Sequence, residues 1–455
     1  MEQKRYLTWG NKIGYGSGDL AANCIYAVIT YYVLIYLTDA MNMDAGKVGM
    51  LIMVAKCLDG ISDVLFGNIL DRTHTKMGKA RPWMLWAHIG NVVCFIALFS
   101  IPFHMDQTAQ YVYFFITYTL LNAGFFTANN LAYGTLTALI TKNMHERVQL
   151  GSIRFIFTLI TQVLVTTFTV KAVDALGGGA VGWRNVAIIY AIISLVVNTI
   201  SVFSVKELSA EELAEGMEEA RPEEKIPFTE SISLLLKNKY FLMIAAFYIL
   251  MYVQQGITAV GAYWCKYVLE NDEMLSAFTA AQSLPMVLGL ALVPFIVKLT
   301  GSMYKANFVG YVLATAFRVL FIFAGYAKNI PLMIATMALS GLCAAPALGA
   351  INALISETSE YTYRTQGKHI AGAIFASSSL GVKVGSGLGT AICGILLDLS
   401  GYIPNDMSQP QSAVDMLNFM YIWFPLISVA LITVVMHFLD VEKANKKWDA
   451  EHGRA

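Results

Sequence analysis

The chain has no paired cysteines, no phosphate-binding loop and little charge, and each lack removes a class of function. Its six cysteines, Cys24, Cys57, Cys94, Cys265, Cys343 and Cys393, stand singly in apolar stretches, without a C-x-x-C pair or closely spaced histidines. Buried thiols are therefore expected, and disulfides or a zinc site are not. No G-x-x-x-x-G-K-[ST] segment occurs, which argues against ATP-driven work by this chain. Lys plus Arg and Asp plus Glu both number 31, so no basic excess points to nucleic acid. Charged residues make up 14% of the 455, against about 25% in soluble domains. What is abundant instead is apolar sequence, 56% of the chain, enough for roughly twelve membrane crossings of about 20 residues.

Twelve apolar segments can be bracketed, at about 13–37, 46–69, 83–103, 110–140, 150–172, 184–205, 240–267, 275–300, 306–327, 332–356, 369–398 and 414–439. They predict an all-α membrane protein of twelve transmembrane helices. Counting Lys and Arg in alternate loops gives 21 on one side and only Lys47 and Lys328 on the other. Basic loops stay cytoplasmic, so both termini are expected there, in a cell membrane crossed an even number of times. The first apolar run is too long for a signal-peptide core and is followed by TDAMNMD, so it is expected to stay in place. Gly385, Gly389 and Gly394 share one span and suit close helix contact in lipid.

The segment Lys206–Lys239 holds nine glutamates and interrupts the apolar chain, with SAEELAEGMEEA patterned as a surface helix before Pro222. It divides the sequence into an N-terminal six-helix bundle (1–205), a charged cytoplasmic linker (206–239), a C-terminal six-helix bundle (240–440) and a cytoplasmic tail (441–455). Two pseudo-symmetric halves joined in this way, with a site near mid-membrane, are the pattern of the major facilitator fold.

Chemistry concentrates in the second helix, where VAKCLDGISDVLFGNILD carries Lys56, Asp59 and Asp63. At a rise of 1.5 Å per residue, Asp63 lies about 12 Å from Asp71 at one end and Asp59 about 18 Å from Lys47 at the other. A carboxylate at that depth costs about 2.5 to 3.5 kcal/mol on insertion scales, so an intramembrane pair reads as functional. Spacing of four residues puts both on one face, where they could hold one monovalent cation. The structural alternative is a salt bridge to Lys56, Arg154 or Lys383. Lys383, in FASSSLGVKVGSGLGT, is too far from either helix end to snorkel and calls for a partner carboxylate. Arg154, about four residues inside the fifth segment, and Arg318, in the ninth, fit a surface or a cavity role equally.

Asn23 in the first helix and Thr127, Asn129 and Asn130 in the fourth suit a polyhydroxyl ligand, because amides and hydroxyls both donate and accept. They serve equally well as glue between helices. Tyr26, Tyr31, Tyr32, Tyr133 and Trp264 are candidates for stacking on a sugar ring. The loop DRTHTKMGKARPW runs from Asp71 and Arg72 to Arg81, an arrangement suited to an ionic latch at the cytoplasmic face.

Taken together, YGSGDLAAN, YLTD, LDGISDVLFGNILDRTHTKMGKARPW, NNLAYGTLTALIT, ERVQLGSIR, ETSEYTYRTQGKHIAG, SSSLGVKVGSGLGT and LDLSGYIPN resemble the glycoside-pentoside-hexuronide:cation symporters, the melibiose permease-like branch of the major facilitators. The resemblance implies that Asp59, Asp63 and Thr127 bind the coupling cation, Na⁺ or H⁺, with Asp59 and Asp63 as the metal ligands if it is Na⁺. It implies substrate contacts at Asn23, Asn130, Arg154 and Lys383, beside which Tyr26 stands as a stacking candidate, and a latch of Asp71, Arg72 and Arg81. Melibiose permease has aspartates where Asn23 and Asn130 stand, which points away from α-galactosides and toward pentosides or glucuronide-like hexuronides. No cofactor beyond the ion is implied, and the expected state is a lipid-embedded monomer with a small sugar as substrate. The competing readings are an uncoupled sugar facilitator, a lipid or lysolipid carrier, and a membrane hydrolase using Asp59 and Asp63 as acid and base. The last has no accompanying nucleophile or metal ligands.

Overall fold

The helices form where the apolar segments lead, and most are longer than hydropathy alone marks. A computed structural model describes residues 5–209, 212, 235–366 and 371–452. Among these the regular structure is all helix, apart from one isolated bridge between Thr75 and Gly78. We number the helices α1 (Trp9–Ile35), α2 (Ala45–Asp71), α3 (Arg81–Leu98), α4 (Gln107–Thr119), α5 (Thr127–Ile140), α6 (Met144–Ala175) and α7 (Gly179–Ser204). They continue as α8 (Lys239–Gly256), α9 (Val260–Tyr267), α10 (Met274–Thr300), α11 (Met303–Tyr326), α12 (Ile330–Gln366), α13 (Ala371–Leu399), α14 (Gln411–Asn418), α15 (Phe424–Phe438) and α16 (Val441–Glu451).

π-helical turns at Tyr36–Ala40, Leu120–Phe126 and Phe419–Trp423 extend α1, join α4 to α5 and join α14 to α15. A short 3₁₀ turn, Ile257–Ala259, joins α8 to α9. Counted as continuous rods, the described residues form the twelve spans expected, followed by α16. Nine rods are apolar enough to cross a membrane by length and composition. The other three are α2, α3 and α4–α5. Any 18 consecutive residues of α2 include at least three of Lys47, Lys56, Asp59, Asp63 and Asp71. The charge that makes α2 interesting is also what hides it from a hydropathy criterion.

Side-chain exposure shows which way each rod faces. On α2, Met50, Val54, Leu58, Ile61, Leu65 and Ile69 are all exposed, spaced three or four apart. On α7, Ile192, Val196, Ile200 and Phe203 do the same. Contiguous apolar stripes of this kind are a liability in water and the expected outer surface in lipid.

The chain divides into two compact units. The first comprises Met1–Glu219 with Thr258–Ser276 and Thr390–Val414. Its core includes Tyr15, Met84, Ala132, Tyr133, Leu136, Leu150 and Val202, and α1 packs along both α6 and α7. The second comprises Ala220–Ile257, Ala277–Gly389 and Asp415–Ala455. Its core includes Phe247, Tyr311, Ala347, Ile351, Val429 and Met436, with α11 against α12 and α15. There α16 is docked on α12 by Arg364, which forms two hydrogen bonds of 2.9 and 3.0 Å to Asp449. Most of the expected 206–239 linker, with its surface helix, lies outside the described residues.

The glycines singled out in α13 do mark close approach. A methyl group on Gly389 would collide with the Val253 carbonyl in the second unit, and one on Gly394 with the Ala45 carbonyl in the first.

Candidate functional site

The face of α2 opposite its apolar stripe carries Ile52, Lys56 and Asp59, all buried, with Asp63 half-buried one turn further on. An i, i+4 pair on one face is what the 3.6-residue repeat demands of positions 59 and 63. The structure thereby turns both carboxylates inward, as the sequence pattern requires.

Thr127 is brought to Asp59 by the π-helical turn that precedes it. Leu120–Phe126 contains one residue more than an α-helix would accommodate, and such bulges recur at functional sites. Directly after it, the Thr127 hydroxyl donates to Asp59 Oδ1 and also lies 3.0 Å from the Asn122 carbonyl. The Asn122 side chain accepts from Lys56 Nζ at 3.4 Å and donates to the Tyr118 carbonyl at 3.1 Å. Lys56 lies 5.3 Å from the centre of the Tyr26 ring, which stacks on Phe126. Tyr26, expected to face a substrate, is thus the cation–π partner of a buried lysine. Lys56 lies within electrostatic reach of Asp59. Among the described residues no group of three or more His, Cys, Asp or Glu could hold a metal ion, so a cation here would need hydroxyl or carbonyl oxygens as well.

A second polar centre involves a residue that the sequence reading passed over. Arg154 Nε donates to Asp19 Oδ2 at 2.6 Å, and Nη2 lies 3.5 Å from Oδ1. The guanidinium is 4.0 Å from the centre of the Tyr133 ring. α6 starts at Met144, six residues before the bracketed boundary, so Arg154 is about 15 Å inside its helix and not near the end. Asp19 is likewise about 15 Å from Trp9. The only sequence signal for Asp19 was its depth, since an ionisable residue that far inside a span is a functional candidate by default. Gly16 lets the helices meet here: a methyl group at that position would run into Ile153 Cγ2, one residue before Arg154.

Around this pair, Asn23 donates to the Asp19 carbonyl at 2.8 Å and to Thr158 Oγ1 at 3.2 Å, which ties α1 to α6. Asn129 donates to the Met84 carbonyl at 2.8 Å and ties α5 to α3. Both act as glue in this structure. Asn130 is exposed on α5, one turn after Thr127. Lys383 is half-buried on α13 in the second unit. Arg318 on α11 is only 4% exposed, lies over Phe321, and leaves Nε without a hydrogen-bond partner.

The expected latch is rearranged. Asp71 pairs with Lys79 at 2.7 Å, not with Arg81. Arg81 Nε donates to the Val202 carbonyl at 3.0 Å, and its own backbone N–H joins those of Lys79 and Ala80 on the Glu207 carboxylate. Three N–H groups at the start of α3 attract a carboxylate more strongly than a neighbouring guanidinium does, because first-turn donors have no partner within the helix. The Arg72 carbonyl lies 3.1 Å from His74 Nδ1.

At the far end of α1, opposite the N-terminus, a tighter cluster forms around Asp39. Its carboxylate accepts from Lys266 Nζ at 2.6 Å, from Tyr267 Oη at 2.5 Å and from the Tyr402 hydroxyl, while the Asn405 amide donates to its backbone carbonyl. Thr38 and Tyr263 share a buried hydroxyl bond of 2.8 Å alongside. Burial, together with Tyr263 and the Asp39 charge, keeps the Tyr402 phenol protonated far above its usual range. A cavity of about 290 Å³ beside the cluster is lined by Asp39, Asp174, Trp183, Lys266 and Asp272.

Comparison with known proteins places this arrangement. The isoprimeverose transporter of Lactiplantibacillus pentosus is 26% identical over 98% of this chain and 92% of its own length. The glucuronide carrier protein homolog of Escherichia coli (strain K12) is 24% identical over 97% of this chain and 98% of its own. A crystal structure of the nucleoside transporter NupG superposes with a TM-score of 0.67 at 13% identity, covering 94% of this chain and 99% of that one, a likeness of fold. These relatives are membrane transporters and not enzymes, and the twelve-rod architecture is that of a multi-pass transporter. The family model for MFS/sugar transport proteins matches residues 14–443, and the chain belongs to that family.

Proposed function

We propose that the protein is a glycoside symporter coupled to Na⁺ or H⁺, working by alternating access in a cell membrane with both termini cytoplasmic. The observation that carries this reading is the Thr127 hydroxyl on Asp59, two residues 68 positions apart joined on the inward face of a charged membrane helix. Asp59, Asp63 and Thr127 then hold the coupling ion. Thr127 has two acceptors within reach, so its proton can turn to the Asn122 carbonyl and leave a lone pair facing a cation. A hydroxyl with one acceptor could not do this. Sugar hydroxyls engage Asn130, Arg154 and neighbouring polar groups of the first unit. The Asp39 cluster closes the outer face and must open once per cycle. Cation and sugar strengthen each other's binding, typically by about 1 to 3 kcal/mol.

The test is uptake of labelled pentosides, glucuronides and galactosides into proteoliposomes, with Na⁺ and pH gradients imposed separately. Accumulation driven by one gradient identifies the ion and the sugar class together. Equilibration without accumulation would leave an uncoupled facilitator, and no sugar uptake at all would favour a lipid carrier.

A further inference from the structure

We infer that a groove between the start of α2 and the end of α13 holds a zwitterionic phospholipid with a primary-amine headgroup, phosphatidylethanolamine. The stripe that α2 turns to the lipid runs from Met50 to Ile69, about 29 Å at 1.5 Å per residue, which matches a hydrocarbon core of about 30 Å. Lys47 is exposed and continues that stripe by one more turn, at headgroup depth. Close approach of the two helices supplies the other wall. A methyl group on Gly49 would lie 3.0 Å from the Thr390 carbonyl, and one on Gly394 would meet the Ala45 carbonyl. The last turn of α13 therefore stands beside the first turn of α2, with Asp398 Oδ2 3.3 Å from the place a Gly46 methyl would take. Both walls belong to the first unit.

The groove has a volume of about 580 Å³, within the range of small-ligand sites. Met50, Leu51, Val54 and Ile395 line its deeper part, and Asp44, Lys47, Tyr111 and Asp398 its outer rim. The Lys47 ammonium lies 5.8 Å from the centre of the Tyr111 ring. Among the described residues, neither that ammonium nor the Asp398 carboxylate has an ion-pair or hydrogen-bond partner. One unpaired charge of each sign above an apolar floor is the complement of a zwitterionic lipid. Its phosphate meets Lys47, its ammonium meets Asp398, and an acyl chain follows Met50 and Val54. The Tyr111 hydroxyl accepts from the Asp44 backbone N–H at 2.8 Å, which leaves its own proton to donate to the phosphate. A carboxylate has about four acceptor sites, so Asp44, which caps α2 by accepting from the Lys47 N–H at 2.8 Å, keeps others for an ammonium. Ethanolamine brings three N–H donors and choline brings none. With two carboxylates to one ammonium, the rim also repels a lipid of net negative charge.

The experiment is native mass spectrometry of the purified full chain with phosphatidylethanolamine, phosphatidylcholine and phosphatidylglycerol carrying the same acyl chains. Phosphatidylethanolamine should bind more tightly than either of the others by about threefold or more, the scale of one exposed ion pair. Asp398→Asn should bring the ethanolamine and choline lipids to equal affinity, while Asp398→Glu should keep the preference. Lys47→Gln, on the opposite wall, should weaken both by a similar factor, because both carry the phosphate. Equal binding of the three lipids by the unaltered chain overturns the inference, and so does a preference that Asp398→Asn leaves intact. Soluble phosphoethanolamine that competes as well as the intact lipid overturns it too, since the apolar floor of the groove would then contribute nothing.

Discussion

Lys266 and Asp39 stand 227 positions apart in the chain and meet through a 2.6 Å ion pair. Tyr267, Tyr402 and Asn405 add donors around the same aspartate, which joins the segments Thr258–Ser276 and Thr390–Val414 to the end of α1 within one unit. Both partners are half-buried, so removing one costs less than the roughly 3 to 5 kcal/mol of a fully buried pair, but still leaves the other charge uncompensated. Cys265, next to Lys266, is fully buried and free, and so reports on this closure. In a chain whose other cysteines are serine, Asp39→Asn should raise Cys265 labelling by an impermeant maleimide by about tenfold or more in right-side-out vesicles. An unchanged labelling rate would show that the cluster does not hold the outer face shut.

The Thr127 hydroxyl distinguishes the two coupling ions. A sodium ion needs several oxygen ligands, while a proton needs only a carboxylate. Thr127→Val should therefore abolish Na⁺-stimulated uptake and Thr127→Ser should keep it, if Na⁺ is the ion. If H⁺ is the ion, both variants should accumulate sugar under a pH gradient. Asp59→Asn should remove either stimulation while sparing expression. Continued accumulation by that variant would refute the coupling assignment.

Gly16→Ala places a methyl against Ile153 and pushes α6 away from α1 where Arg154 meets Asp19. Overpacking of this kind costs about 1 to 3 kcal/mol. Thermal unfolding should show a lowered Tm, together with a loss of sugar affinity that Gly10→Ala does not share. At Gly10 the nearest atom to an added methyl is Thr8 Oγ1, 3.8 Å away.

Asp272 lies in the loop between α9 and α10 and lines the cavity beside Asp39. Burial holds its carboxyl above the ordinary aspartate range, with Asp174 and Asp39 adding to the effect and Lys266 opposing it. An acid with a raised value is favoured in its protonated form. The closed arrangement therefore gains stability at pH below the ordinary aspartate value, near about 4, and loses it as pH rises through the raised one. Cys265 labelling should accordingly quicken as pH rises across that interval, and Asp272→Asn should flatten the dependence.

Much of this was legible in the sequence, because membrane crossing leaves a pattern that needs no tertiary context. Twelve apolar runs became twelve rods, and Asp59 and Asp63 face inward because four residues make just over one turn. Thr127 on Asp59 followed from the resemblance alone, since no spacing rule relates positions 68 apart. The Asp19–Arg154 pair was missed for a local reason: α6 begins at Met144 in a polar stretch, MHERVQ, that hydropathy reads as loop. Capping by Asn143, whose side chain accepts from His145 and Glu146, starts the helix there regardless. The partner exchange at Asp71 was illegible because Glu207, which claims the start of α3, is 126 residues from Arg81.

The π-helical turn Leu120–Phe126 amounts to one amino acid inserted into a membrane rod without breaking it. Everything beyond it is rotated by about 100° relative to an uninterrupted α-helix counted from Gln107. Thr127 and Asn130 owe their facing to that extra residue, and a wheel drawn through the whole rod would put both on the wrong side. Chains of this kind can therefore diverge at the site by gaining or losing a single codon within a transmembrane segment. When such sequences are aligned, a one-residue gap at this place is a change in what the helix presents, and forcing it closed would match the wrong side chains.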